Sequence, residues 1–479
     1  TSNFIAGVNA GNSIASGGIR NTLVGDEAGT AITTGDNMVA IGYEALDAED
    51  TGERSTAVGA FALTAQNAAV ENYNTAVGYS AGAAVSTGVE NTLIGGLAGD
   101  ALTDADHNVA VGYAALTTDT LGSSSTAIGR LTLSEQNFTS ATSAFNTAVG
   151  AQAGQKVSSG IRNTLIGGLA GDALTDADYN VALGQQAITS DTLGSYTTAI
   201  GYGTLNNQNF TSATNTYNTA VGALAGAAVT TGIKNTLIGG LAGGAITDAD
   251  FNVAIGFNAL SINTLGSRSV AIGFNALDAQ NYSSATDGYN VAVGHAAGTE
   301  VTTGVQNVLV GGLAGDNLND ADSNVAMGHS ALSTDTKGSR SVAIGASALE
   351  TQNFTSGTFT YNVGVGTLAG AAVTTGIFNT LIGGLSGDAL TVGQENVALG
   401  YLALTADTKG NHSVAIGPYA LQAQNFTSAT DTFNTAVGYA AGNAVSTGTQ
   451  STFIGGLAGV AIEAAADNVA VGYLALSTE

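Results

Sequence analysis

The chain has 479 residues, with 36 acidic against 10 basic side chains for a formal net charge of −26, 68 glycines, one proline and no cysteine or tryptophan. The missing cysteines exclude a disulfide scaffold and a thiolate metal site, and the singly scattered cations leave no basic patch for phosphates, so nucleic acid is not an expected partner. Although glycine-rich, the chain is 44% apolar, a composition of packed repeats rather than of disordered tracts.

Read from its start, the chain falls into tandem coils. A pentapeptide N-[TV]-[AL]-[VI]-G, or a close variant, opens at Asn3, Asn21, Met38, Ser55, Asn74, Asn91, Asn108, Ser125 and Asn146, and recurs to Ser451 and Asn468, giving 27 coils. From Asn74 the spacings run 17, 17, 17 and 21; their sum, 72, separates Asn91, Asn163, Asn235, Asn307, Asn379 and Ser451. A fixed period of this kind overrides any estimate of domain number from length. Nothing is left over for a catalytic domain, so no enzyme activity is expected. No apolar run is long enough to cross a membrane, and no signal-peptide pattern opens the chain.

The coil Asn74–Glu90, NTAVGYSAGAAVSTGVE, shows how the period is used. Thr75, Ala76 and Val77 form a short β-prone run closed by Gly78, and a second run is predicted at Ala81–Val85 before a turn at Ser86–Gly88. A glycine at the fifth position of every coil, from Gly7 to Gly472, implies a positive φ or a close backbone approach. The first-position asparagines are expected to stack as an amide ladder. Val or Ile at the fourth position is assigned to the interior. The third position (Ala76, Leu93, Ala110, Ala127) would then face a neighbouring copy of the chain.

The predicted fold is thus all-β: a parallel β-solenoid (β-roll) of about 27 coils, 17 and 21 residues long in a 72-residue super-repeat. It is read as one continuous array over residues 1–479, part of a longer fibre, and as an intertwined or side-by-side homotrimer.

The pattern N-T-A-V-G-Y-x-A-G and its variant S-V-A-I-G, at Ser269–Gly273, Ser341–Gly345 and Ser413–Gly417, resembles the head repeats of trimeric autotransporter adhesins. It also resembles the repetitive shafts of phage tail fibres. The resemblance covers essentially residues 3–479 and implies a left-handed parallel β-roll with three chains about one axis. Its coils are longer than those of the adhesin heads, and no neck, stalk or anchor is seen, which favours the fibre shaft. The implied function is a structural shaft of a phage tail fibre or cell-surface adhesin, on a virion or outside a cell, that spaces or presents surface attachment.

Four histidines, His107, His295, His329 and His412, lie in different coils and form no triad or metal set. Acidic turns recur as Asp100, Asp104, Asp106 and as Asp172, Asp176, Asp178. Oxygen ligands at this density suit calcium, the one cofactor considered, with solvated turns as the alternative. The four extra residues of the 21-residue coils fall in loops carrying Asn137-Phe138, Asn209-Phe210, Asn281-Tyr282, Asn353-Phe354 and Asn425-Phe426, each an N-x-[ST] acceptor. Two readings stand. In one, these loops project and carry or contact a cell-surface glycan or receptor, making a multivalent extracellular filament. In the other, the ring staples the loop to the roll and the asparagine caps a turn.

Overall fold

A computed structural model describes residues 2–478. It is an all-β parallel solenoid, with no helix among the described residues. The chain divides into two compact units, Thr1–Asn235 and Thr236–Glu479. The first contains thirteen three-residue strands, from Phe4–Ala6 to Thr219–Val221, and the second fourteen, from Thr236–Ile238 to Val469–Val471. Within each unit successive strands pair in parallel and in strict register, as in Thr75↔Thr92, Ala76↔Leu93 and Val77↔Ile94. Equivalent residues of successive coils therefore form ladders.

The first and third positions point inward. Asn74, Asn91, Ala76 and Leu93 are fully buried, while Val77 and Ile94 at the fourth position are 37% and 38% exposed. This reverses the expected assignment. Burying Asn at the first position forces the third position to the same side and the fourth to the other, since side chains alternate along a strand. Likewise, the Ala and Leu expected between chains lie inside the roll, so no interface can be made of them.

The asparagine ladder is present. Asn74 Oδ1 accepts the backbone N–H of Asn91 at 2.8 Å, and Asn91 Nδ2 donates to Ala105 O across the coil at 2.8 Å. Each amide thus satisfies backbone groups that would otherwise be buried without partners. Bulk is shared between coils. Leu93 occupies the space over Gly82 of the preceding coil, where an added Cβ would lie 2.6 Å from its side chain. In coils with Ala at the third position, a buried leucine such as Leu116 or Leu133 fills the interior from the following turn.

The predicted strand at Ala81–Val85 is turn instead. Ser80 (φ 51°) and Gly82 (φ 61°) are left-handed, and such residues curl the backbone out of extended geometry. The second strands that do occur are two residues long and confined to each long coil and the coil before it: Thr142–Ser143 pairs with Gly122–Ser123 of the preceding coil.

Candidate functional site

The long coils carry the most distinctive chemistry, built around a buried carboxylate. In the coil before the first of them, Asp119 opens a tight turn; its Oδ1 accepts the N–H groups of Gly122 (3.0 Å) and Phe138 (3.2 Å). Gln136, from the long coil itself, reaches inward to donate from Nε2 to Asp119 Oδ2 (2.5 Å) and to Ser125 Oγ (3.0 Å). Its Oε1 accepts from Asn146 Nδ2 at 2.9 Å. All four side chains are fully or almost fully buried. Ser125 replaces the ladder asparagine here, and the glutamine amide takes the space its short side chain leaves.

The same plug recurs with Asp335, Gln352, Ser341 and Asn362, and with Asp407, Gln424, Ser413 and Asn434. Asp191 and Gln208 repeat it with Thr197 as the hydroxyl. One copy is neutral: Asn263 stands in place of the aspartate, and Tyr282 donates its hydroxyl to Gly304 O at 2.8 Å. Near the start Glu49 takes the role with Gln66 and Asn72, beside Ala68 where the others have a ring. Burial pushes the Asp335 and Glu49 carboxyls above the ordinary carboxylate range, against the lowering effect of their hydrogen bonds.

The plug was missed in the sequence. Its signal is a D-T-x-G turn, with Asn for Asp once, placed 17 residues before each Q-N-[FY]: Asp119 to Gln136, Asp191 to Gln208, Asn263 to Gln280, Asp335 to Gln352 and Asp407 to Gln424.

The plug decides where the loop residues go. Phe138, Phe210, Tyr282, Phe354 and Phe426 are buried, with only 5–7% exposure. The rings that a projecting loop would offer to a surface are turned inward as staples. Their asparagines stay outside: Asn137, Asn209, Asn281 and Asn425 are exposed and Asn353 is half-buried. Each Oδ1 is held by a threonine hydroxyl of the preceding coil, as in Thr120 to Asn137 at 3.1 Å and Thr264 to Asn281 at 2.7 Å.

The acidic turns are tied rung to rung. Asp104 accepts from Thr87 (2.5 Å), Asp106 from the N–H of Val89 (2.8 Å), and Asp100 from Thr117. Asp172, Asp176 and Asp178 accept from Thr189, Ser159 and the N–H of Ile161. Among the described residues, no group of three or more His, Asp or Glu side chains is placed to hold a metal ion. Burial raises the carboxyls of Asp100, Asp172 and Asp178. The histidines stay apart: His107 lies 3.4 Å from Glu90, His412 is 3.4 Å from Glu395, and His295 stacks on Phe274.

Outside the plugs, one surface is continuous in each unit. Apart from Phe4 and Ala6 in the first coil, the second and fourth positions form parallel ladders of Thr or Val and of Val, Ile, Leu or Met. Ile41, Val77, Ile94, Ile128 and Leu183 are exposed in the first unit, and Ile238, Met327, Ile344, Leu399 and Ile454 in the second. No protein-family model matches this chain, and no curated protein matches it significantly.

Proposed function

We propose that the chain is a structural fibre segment whose copies associate through the fourth-position ladder. The observation that carries this reading is the ladder itself. A soluble monomer rarely exposes a long contiguous apolar strip, and such strips mark association surfaces. The β-branched side chains present a regular pleated surface that an identical surface can meet. Three-fold closure about one axis would let three equivalent faces meet with no open edge, making a homotrimer. The reading adds no catalytic step. It agrees with the resemblance to tail-fibre shafts and adhesin heads, and with a place on a virion or outside a cell, where the shaft spaces or presents a surface attachment.

The test is sedimentation velocity on the full chain beside an I94D/I128D/I166D variant. The expected result is a trimer for the unsubstituted chain and a lighter species with unchanged β-sheet circular dichroism for the variant. A monomer at micromolar concentration in the unsubstituted chain would refute the reading.

A further inference from the structure

Beside the first long coil the extra segment forms one wall of a surface cleft of about 510 Å³. Asn137 and Thr139 line that wall, with the edge of Phe138 at its base; Ser159, Asp176 and Asp178 from the next two coils line the other. Coils without the insertion lack the first wall.

The polar groups are fixed and only partly used. Ser159 Oγ donates to Asp176 Oδ1 and the N–H of Ile161 to Asp178 Oδ1, both at 2.7 Å. Among the described residues neither Oδ2 has a hydrogen-bond partner, so two oriented acceptors remain. Asn137 has its Oδ1 engaged by Thr120, leaving its Nδ2 as a donor. The chemistry on offer is two carboxylate acceptors, an amide donor, the Thr139 hydroxyl as donor or acceptor and Ser159 Oγ as an acceptor, around a small apolar base. Such a set pairs with the vicinal hydroxyls of a sugar ring. A bare cation is less well served, because only two carboxylates converge and each has an oxygen committed. An anionic ligand would meet two acids on a chain of net charge −26.

We propose that this cleft binds a neutral sugar residue, with Asp176 and Asp178 accepting from adjacent hydroxyls and Asn137 donating to a third oxygen. Glycan contact thus moves from the buried rings to the cleft they help to shape. The chain contains its own comparison. At the positions matching Asp176 and Asp178, the coils beyond Asn425 have Ala464 and Ala466. In the copy at Asn281 the matching Asp320 has Lys337 Nζ at 3.6 Å from its Oδ2, which occupies one acceptor.

The experiment is photo-affinity labelling of the full chain with diazirine-bearing mannoside, galactoside and N-acetylglucosaminide, mapped by peptide mass spectrometry. Labelling should concentrate on residues 137–142 and 159–161 with at least one of these sugars, and fall at least about tenfold in D176N/D178N, as loss of charged hydrogen bonds predicts. The segment around Asn425 should stay at background. Labelling no stronger than with a sugar-free diazirine, labelling unchanged in the variant, or equal labelling at Asn425 would overturn the proposal. So would labelling abolished by a chelator, which would mean a bridging cation, or a glycan covalently attached at Asn137. Sedimentation reads the fibre proposal separately, so either can fail alone.

Discussion

Gln136 Oε1 accepts a hydrogen bond from Asn146 Nδ2 at 2.9 Å, so a side chain of the long coil continues the interior ladder where Ser125 interrupts it. Replacing Gln136 by Ala would strand Asp119 Oδ2 in the interior and take one of its two acceptors from Asn146 Nδ2, which keeps its bond to Gly160 O. At about 1–3 kcal/mol for the one buried acceptor left unpaired, the expected loss is about 1–3 kcal/mol. Amide hydrogen exchange should accelerate over the coils flanking Ser125. Substituting the neighbouring exposed Asn137 by Gln should leave exchange there unchanged. Equal protection in both variants would show that the plug contributes nothing to stability.

The plugs also set a pH dependence of unusual sign. Asp335 accepts from Gln352 Nε2 and from the N–H groups of Gly338 and Phe354, and Glu49 from Gln66, Asn72 and the N–H of Gly52. Neither forms an ion pair among the described residues, and burial holds both carboxyls above their ordinary range. Half-buried Asp100, Asp172, Asp178 and Asp316 shift the same way. A folded pKa above the unfolded one means that the folded state binds protons more readily. The resulting stabilisation is complete below the ordinary carboxylate value of about 4 and is lost as pH rises through the raised values. The thermal midpoint should therefore climb as pH falls from about 7 towards 4.5, and climb less in D335N, whose neutral amide has a precedent in Asn263. A midpoint that drops over that interval would contradict this account.

The repeat made the fold legible, because a period that places Gly at the fifth position of every coil leaves little but stacked coils. Which face is inside is also contained in the pattern. Hydrophobicity alone places Val and Ile inward, while Asn at the first position, considered separately, predicts a ladder. In a strand those two assignments conflict, and the buried amide decides between them. The loop rings were half legible: a staple was among the readings of Phe138. The partner that fixes it, Asp119, lies 19 residues earlier in another coil, and only the stacking register brings the two together.

The corrected facing has a direct consequence at adjacent residues. Leu93 is fully buried and Ile94 is 38% exposed. Leu93→Ala should cost about 2–5 kcal/mol through lost burial and a residual cavity. Ile94→Ala should cost less than about 1 kcal/mol in the dissociated chain, its effect appearing in self-association. Guanidinium unfolding at low protein concentration would compare the two. The reverse order would restore Val and Ile to the interior.

The fifth-position glycines pack directly on the backbone of the next coil. Gly95 has φ +134°, and a Cβ added there would lie 2.4 Å from the carbonyl oxygen of Gly112 in the next coil. Gly112 is backbone tied by its N–H to Ile94 O at 2.7 Å and by its oxygen to the N–H of Ala115, so it cannot withdraw without opening those bonds. Gly357 is the contrast, since a Cβ there would meet nothing within 4 Å. Gly95→Ala combines backbone strain with overpacking, each about 1–3 kcal/mol, for an expected loss of about 2–6 kcal/mol. Because each coil touches mainly its neighbours, the damage should be local. Hydrogen exchange should accelerate over the strands Thr92–Ile94 and Val109–Val111 while distant coils keep their protection. Gly357→Ala should be silent in the same measurement. If Gly95→Ala were equally silent, the glycine column would not be a steric requirement, and the invariance of the fifth position would need another cause.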